Sequence, residues 1–259
     1  MPAVCHCFGA FRDQLKEYVV YYSKDVSTTH AKRAYTMSQQ TVQREPHETP
    51  PPAPITYEDF LDWADEDTLA EWVDGEIVMT SPASLRHQQL AAFVFELLSS
   101  YTAVHDLGTV LNAPFQMKLP TSGREPDVLY VARAHEGRLR NTFLDGPADL
   151  VIEVVSPESV ERDRVRKFGE YEAGGVPEYW LLDPRQERAD FYQLDPRGRY
   201  QPVPADQDGV YRSQALPGFW LRVPWLWRQP LPPPVRALLA IDRDAYARYL
   251  RDELRQANS

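Results

Sequence analysis

The amino-acid sequence predicts an α/β fold: a central mixed β-sheet flanked by helices, with extra antiparallel strands. Three observations carry that prediction. The segment Leu150-Val151-Ile152-Glu153-Val154-Val155 is almost wholly apolar and β-branched, as expected of a central strand covered on both faces. A helical stretch follows from Pro157 to about Ala173, and then another strand, Glu178–Asp183. Arg188–Leu194 and Arg199–Val203 alternate like the edge strands of a meander.

The other elements read in order. Thr56-Tyr57-Glu58-Asp59 is an N-cap with acids in the first turn, opening a short helix through Phe60, Leu61 and Trp63. In Glu71-Trp72-Val73-Asp74-Gly75-Glu76-Ile77-Val78-Met79, Asp-Gly between apolar runs signals a hairpin, ended by Ser81 and Pro82. Ser84 caps a long helix whose Leu90, Phe93, Val94, Leu97, Leu98 and Tyr101 recur on one face. Strands are expected at Thr109–Leu119 and Asp127–Ala132, followed by a basic connector from Arg133 to Arg140. Pro157 fits the first helical position and Gly174-Gly175 the stop. Phe219–Trp227 reads as a last aromatic strand, and Ala237–Arg255 as one helix packed on the body or on a partner.

Composition bounds the rest. At 259 residues the chain holds one to two domains at about 150 residues each. The 23 prolines cluster, and they mark linkers. Residues 1–54 read as an N-terminal extension with a proline-rich linker, expected to be disordered, and Met37 is as good a start as Met1. Residues 55–227 form the folded domain, and 228–259 a proline-rich segment with a C-terminal helix. The net charge of −10 argues against a surface-wide trap for nucleic acid, so a phosphate site must be local or use a cation. Cys5 and Cys7 are too close for a disulfide framework, and no apolar run approaches the roughly 20 residues of a membrane span. A cytoplasmic protein without membrane association is expected.

Two acids stand out by position. Asp127 opens a strand and Glu153 interrupts an apolar one. A buried carboxylate is costly unless paired, protonated or bound to metal. If their strands are neighbours, the two converge at one end and offer the oxygen ligands that Mg²⁺ or Mn²⁺ prefers. The alternative is a structural bridge from Glu153 to an arginine or lysine. Asp163 and Lys167 share a helical face next to that strand. Lys167 either returns to the carboxylates, to hold a water or stabilise charge on a phosphorane, or makes a surface ion pair with Asp163. Tyr171, four residues on, reads as core.

Other candidates are weaker. Cys5-His6-Cys7 lacks a second cluster for zinc, Ser156 and Ser159 lack a base, and no glycine loop cradles phosphate. Arg162, Arg164 and Arg166 form a solvated helix face or, with Arg133, Arg138 and Arg140, a modest positive rim. Trp220, Trp225 and Trp227 read as core or as a subunit interface.

Taken together, Pro126-Asp127, Ile152-Glu153-Val154-Val155-Ser156-Pro157, Asp163, Lys167, Tyr171 and Ala173-Gly174-Gly175-Val176-Pro177-Glu178-Tyr179-Trp180-Leu181-Leu182-Asp183-Pro184 resemble the Uma-two family. Asp74-Gly75-Glu76, Ser81-Pro82 and His87 also fit its pattern, and the resemblance spans Ile55 to Trp227. It implies a restriction-endonuclease-like core of the PD-(D/E)XK nuclease superfamily and divalent-metal cleavage of phosphodiesters. The position expected to hold lysine, two after Glu153, is Val155. Similarity to variants of the fold suggests that Lys167 takes its place. The same resemblance makes Glu76 an upstream acid and places His87, Asp163 and Tyr171 around the site. Taken on their own, His87 reads equally as an ordinary half-buried histidine and Glu76 as a solvated acid.

The favoured reading is a metal-dependent DNA endonuclease. Asp127, Glu153 and the Val154 carbonyl hold Mg²⁺ or Mn²⁺, while Lys167 and Glu76 assist. A homodimer clamping the duplex would offset the acidic charge. The rival reading is a non-catalytic binding or scaffold module on the same fold.

Overall fold

A computed structural model describes residues 50–64, 68–79, 83–156 and 162–257, without the side chains of residues 162–164. Cys5-His6-Cys7, Met37, most of the N-terminal linker, Ser81-Pro82, Pro157 and Ser159 lie outside the described residues. So do the side chains of Arg162, Asp163 and Arg164.

Helix α1 (Tyr57–Trp63) opens with a complete capping box. The Thr56 hydroxyl accepts from the Asp59 N–H, and the Asp59 carboxylate accepts from the Thr56 N–H. It buries Tyr57 and Phe60 against Ala70. Strands β1 (Ala70–Val73) and β2 (Glu76–Met79) form the expected hairpin. Its turn places Asp74 at φ 48° and Gly75 at φ 85°, the left-handed pair that Asp-Gly adopts at low cost. Helix α2 (Leu85–His105) starts at Ser84, whose hydroxyl accepts from the His87 N–H, and it buries all six residues of the expected face.

A six-stranded sheet runs in the order β11-β10-β9-β8-β6-β3. Its members are β3 (Gly108–Asn112), β6 (Val128–Ala132), β8 (Leu150–Val154), β9 (Glu178–Asp183), β10 (Arg188–Leu194) and β11 (Tyr200–Pro202). The β8–β9 pair is parallel and the others antiparallel, so the sheet is mixed as predicted. Leu150, Ile152 and Val154 pack on one face with Leu90, Phe93 and Leu97 of α2. Val151 and Val155 pack on the other with Met117, Leu119 and Leu144. Alternation therefore sends Glu153 to that second face.

That second side carries a five-stranded sheet, β2-β1-β5-β4-β7. It adds β4 (Gln116–Lys118), β5 (Ser122–Arg124) and β7 (Phe143–Asp145). The expected single strand Thr109–Leu119 is thus two strands in two sheets. Pro114 lies between them and cannot donate to a ladder. The Arg133–Arg138 stretch of the basic connector is a turn of 3₁₀ helix.

After β8 the described chain resumes as a π-helical segment, Arg162–Lys167, that runs into α3 (Phe168–Gly174). Gly175 stops α3 in the left-handed conformation, φ 79°. Phe219–Trp227 is not one strand. After β12 (Val210–Arg212), β13 covers only Trp220–Arg222, and Pro224 then turns Val223–Trp225 into a 3₁₀ helix. The expected C-terminal helix is also two, α4 (Pro234–Ile241) and α5 (Arg243–Ala257). Asp242 breaks it and caps the second helix by accepting from the Ala245 N–H at 3.0 Å. Ala237 and Leu238 join the same core cluster as α2, so α4 packs on the body. No described helix is long and apolar enough to cross a membrane.

Candidate active site

The antiparallel register of β6 and β8 pairs Val128 with Ile152. Carried one residue further, it sets Asp127 across from Glu153. The Val154 N–H donates to Asp127 Oδ2 at 2.7 Å. That hydrogen bond fixes the first acid at the carboxyl end of the strand bearing the second. Neighbouring strands thus bring Asp127, Glu153 and Val154 together.

The bond does not saturate Asp127. Its side chain is 18% exposed, and His87 Nε2 lies 3.2 Å from the same Oδ2. Among the described residues Oδ1 accepts no hydrogen bond. His87 is buried in the first turn of α2. Burial disfavours its charge, but Asp127, Glu153 and the Val154 backbone outweigh that effect and hold its pKa above the usual imidazole value.

Glu153 and Lys167 are only 3% and 4% exposed. Lys167 Nζ donates to Glu153 Oε1 at 2.9 Å, and the Tyr171 hydroxyl donates to the same oxygen at 2.6 Å. Lys167 therefore points inward rather than lying on the surface. Tyr171 is fully buried. Burial first, then the charges of Glu153 and Glu71, hold its hydroxyl pKa well above the ordinary phenol value, so it stays a donor.

Glu76 lies elsewhere. It is exposed beside the hairpin turn, opposite Val73, at the edge of its sheet. The hairpin acid that reaches the cluster is Glu71, on the buried end of the same hairpin. Glu71 Oε1 is 3.4 Å from Lys167 Nζ, and its Oε2 is 2.9 Å from Arg124 Nη1. Arg124, fully buried on β5, also grips Glu170 of α3 through Nε at 2.7 Å and Nη2 at 2.6 Å. Burial opposes this guanidinium's charge, and Glu170 and Glu71 overcome it, so its pKa is raised. A line of alternating charges thus runs Glu170–Arg124–Glu71–Lys167–Glu153 and ties both sheets to α3.

Glu125 flanks this line. It is raised above the usual carboxylate value, first by burial and then by Glu71, against the opposing Gln116 hydrogen bond and Lys167. Gln116 in turn accepts from the Tyr57 hydroxyl at 2.7 Å.

Sequence reasoning missed Glu71, Arg124, Glu125 and Glu170. Glu71 carries the signal that exposed Glu153, an acid inside an apolar strand, and Arg124-Glu125 directly precedes Pro126-Asp127.

Among the described residues no three His, Cys, Asp or Glu side chains form a ready metal cage. What is present is a partial oxygen set: Asp127 Oδ1, the Glu153 carboxylate and the Val154 peptide. That suits a hard cation that keeps several waters and takes few protein ligands. A cleft lined by Val155, Asp183, Arg185 and Gln186 opens at the carboxyl ends of β8 and β9, where open α/β sheets place ligands.

Comparison with known proteins bears on the fold and the family. A crystal structure described as that of "a putative nuclease belonging to DUF820 from Anabaena variabilis ATCC 29413" superposes with a TM-score of 0.58 at 16% identity, covering 67% of this chain and 98% of that one. That likeness shows a shared fold, a restriction-endonuclease-like core. The comparison with curated proteins returned no match. Residues 57–224, more than half of the chain, match the Uma2 family, described as "Putative restriction endonuclease". The chain belongs to the Uma2 family.

Proposed function

We propose that the chain is a divalent-cation-dependent nuclease hydrolysing DNA phosphodiester bonds. One observation supports this reading: Asp127 is bonded to the Val154 N–H, beside Glu153, which in turn pairs with Lys167 brought in from the following helix. Family membership and the nuclease-like fold support it.

Asp127 and Glu153, with the Val154 carbonyl, are the residues that would hold Mg²⁺ or Mn²⁺. Such an ion supplies Lewis acidity and an acidified water. Asp127 is pre-oriented by the Val154 N–H, which leaves Oδ1 for the cation. Glu153 is held in one rotamer by the Tyr171 hydroxyl, so little motion is needed for ligation. Lys167 offers an ammonium that orients the attacking water and stabilises charge growing on the phosphorane. Glu71 keeps that ammonium in place, and Arg124 keeps Glu71 in place. Glu76 has no part in this arrangement.

The rival reading, a non-catalytic binding or scaffold module, draws on the mutual neutralisation of Glu153 and Lys167. Plasmid cleavage in Mg²⁺ or Mn²⁺ separates the two. Wild type cuts, and Asp127→Ala, Glu153→Ala and Lys167→Ala each lose activity by about 100-fold or more. Equal activity in all four proteins removes the nuclease reading.

A further inference from the structure

The cleft at the carboxyl ends of β8 and β9 is lined by Val155, Asp183, Arg185 and Gln186. Strand register places it beside the candidate active site. The Val155 N–H donates to the Leu182 carbonyl at 2.8 Å, so the parallel ladder continues past Val154 and sets Val155 level with Asp183. Glu153 faces Leu181, two residues before Asp183. Residues two apart on a strand share a face, so Val155 and Asp183 lie on the face that carries Glu153. The cleft begins one such step, about 7 Å along the strand, from Glu153.

The turn that lines the cleft is fixed from within. Asp183 is 2% exposed. Its Oδ1 accepts from the N–H groups of Arg185 and Gln186, both at 3.1 Å. A buried carboxylate thus holds the backbone from which two exposed side chains rise. What the turn offers to solvent in the cleft is a guanidinium and an amide. Arg185 has no ion-pair partner among the described residues, and neither do the exposed Arg197, Arg222 and Arg243. Position, not charge, sets Arg185 apart.

We propose that Arg185 and Gln186 hold the phosphate next to the scissile one, so that a DNA strand runs along the carboxyl ends of β8 and β9. The planar fork of Arg185 matches two phosphate oxygens, and the Gln186 amide donates to one. Such contacts fix the register of the strand over the carboxylates without reading its sequence. They suit a chain of net charge −10, which has to orient a polyanion through local donors rather than a broad field. The inference rests on the nuclease reading.

The test uses the full chain and a short fluorescein-labelled DNA duplex. Binding is read by anisotropy in Ca²⁺ across a salt series, and cleavage in Mg²⁺. Arg185→Gln weakens binding about tenfold and flattens the slope of log K against log salt by about one unit. In cleavage it raises KM more than it lowers kcat. Arg185→Lys keeps the slope but recovers only part of the affinity, because an ammonium lacks the fork. Gln186→Ala weakens binding with the slope unchanged, as loss of a neutral donor requires. Arg197→Gln removes the same charge far along the chain and changes neither binding nor cleavage. If wild type cuts while Arg185→Gln matches Arg197→Gln, the subsite is lost and the nuclease reading survives. If wild type binds but does not cut, and Arg185→Gln still weakens binding, the contact stands as a DNA-binding one and the nuclease reading falls. If wild type neither binds nor cuts, both are lost.

Discussion

Glu153 in β8 and Glu178 in β9 are buried acids on adjacent parallel strands. They lie at opposite ends of the pair, because Leu150 faces Glu178 and Glu153 faces Leu181. Their surroundings differ in kind. Glu178 accepts from Trp180 Nε1 at 2.7 Å, the Tyr211 hydroxyl at 2.9 Å, the Ser213 hydroxyl at 3.2 Å and the N–H groups of Gln214 and Ala215 at 2.7 and 2.8 Å. These donors are all neutral, and they pin the 213–215 loop to the sheet. Glu153 instead meets an ammonium carried by another element, with a second carboxylate one strand away. A charge solvated by fixed neutral dipoles is a structural clip. A charge paired with an ammonium from another element, near the carboxyl end of its strand, fits the ligand site proposed above. Position on the parallel pair agrees, since ligand sites lie at the carboxyl ends.

The largest expected effect separates the two glutamates by activity. Glu153→Gln lowers cleavage by about 100-fold or more while unfolding stays cooperative. The amide still accepts from Tyr171, and Lys167 keeps Glu71. Glu178→Ala does the reverse. It strands several buried donors at about 1–3 kcal/mol each, so a loss of about 3 kcal/mol or more is expected in urea unfolding, with unchanged kcat for the folded fraction. A cleavage defect in Glu178→Ala at full folding would erase the distinction.

A smaller effect is expected from His87 in metal-free protein. Its folded pKa is raised, so its stabilising contribution is complete below the unfolded value of about 6.5 and is lost as pH rises through the folded value. Chelated wild type therefore loses stability with rising pH across that window. His87→Gln shows a shallower decline in the same denaturation series. Parallel curves would mean that the Asp127–His87 contact carries no charge.

The smallest effect belongs to Glu76. Exposed at a turn, its replacement by alanine changes stability by less than about 0.5 kcal/mol and leaves cleavage unchanged. Loss of activity there would return the upstream acid to Glu76 and remove Glu71 from that place.

Local patterns in the sequence were legible where one segment settles its own structure. The hairpin, the α2 face and the β8 strand follow from turn chemistry and periodicity, and they agree with the structure. Apolar pattern alone hides proline and aspartate punctuation, because Pro114, Pro224 and Asp242 each divide a segment whose apolar pattern continues through them. The site was legible as far as strand adjacency reaches. Asp127, Glu153 and Lys167 could be paired by reasoning about neighbours in one sheet and the helix after it. Glu71, Arg124 and Glu170 come from a second sheet and the far side of α3. No spacing in the chain states that contact.

By itself the order of residues determined the elements, their apolar faces and two acids at the ends of adjoining strands, since these depend on contacts within a turn or across one ladder. Only the folded molecule decided which glutamate of the hairpin enters the charged line, and that Lys167 turns inward. A buried charge settles on partners supplied by whichever elements pack around it, and that packing is a property of the assembled sheets.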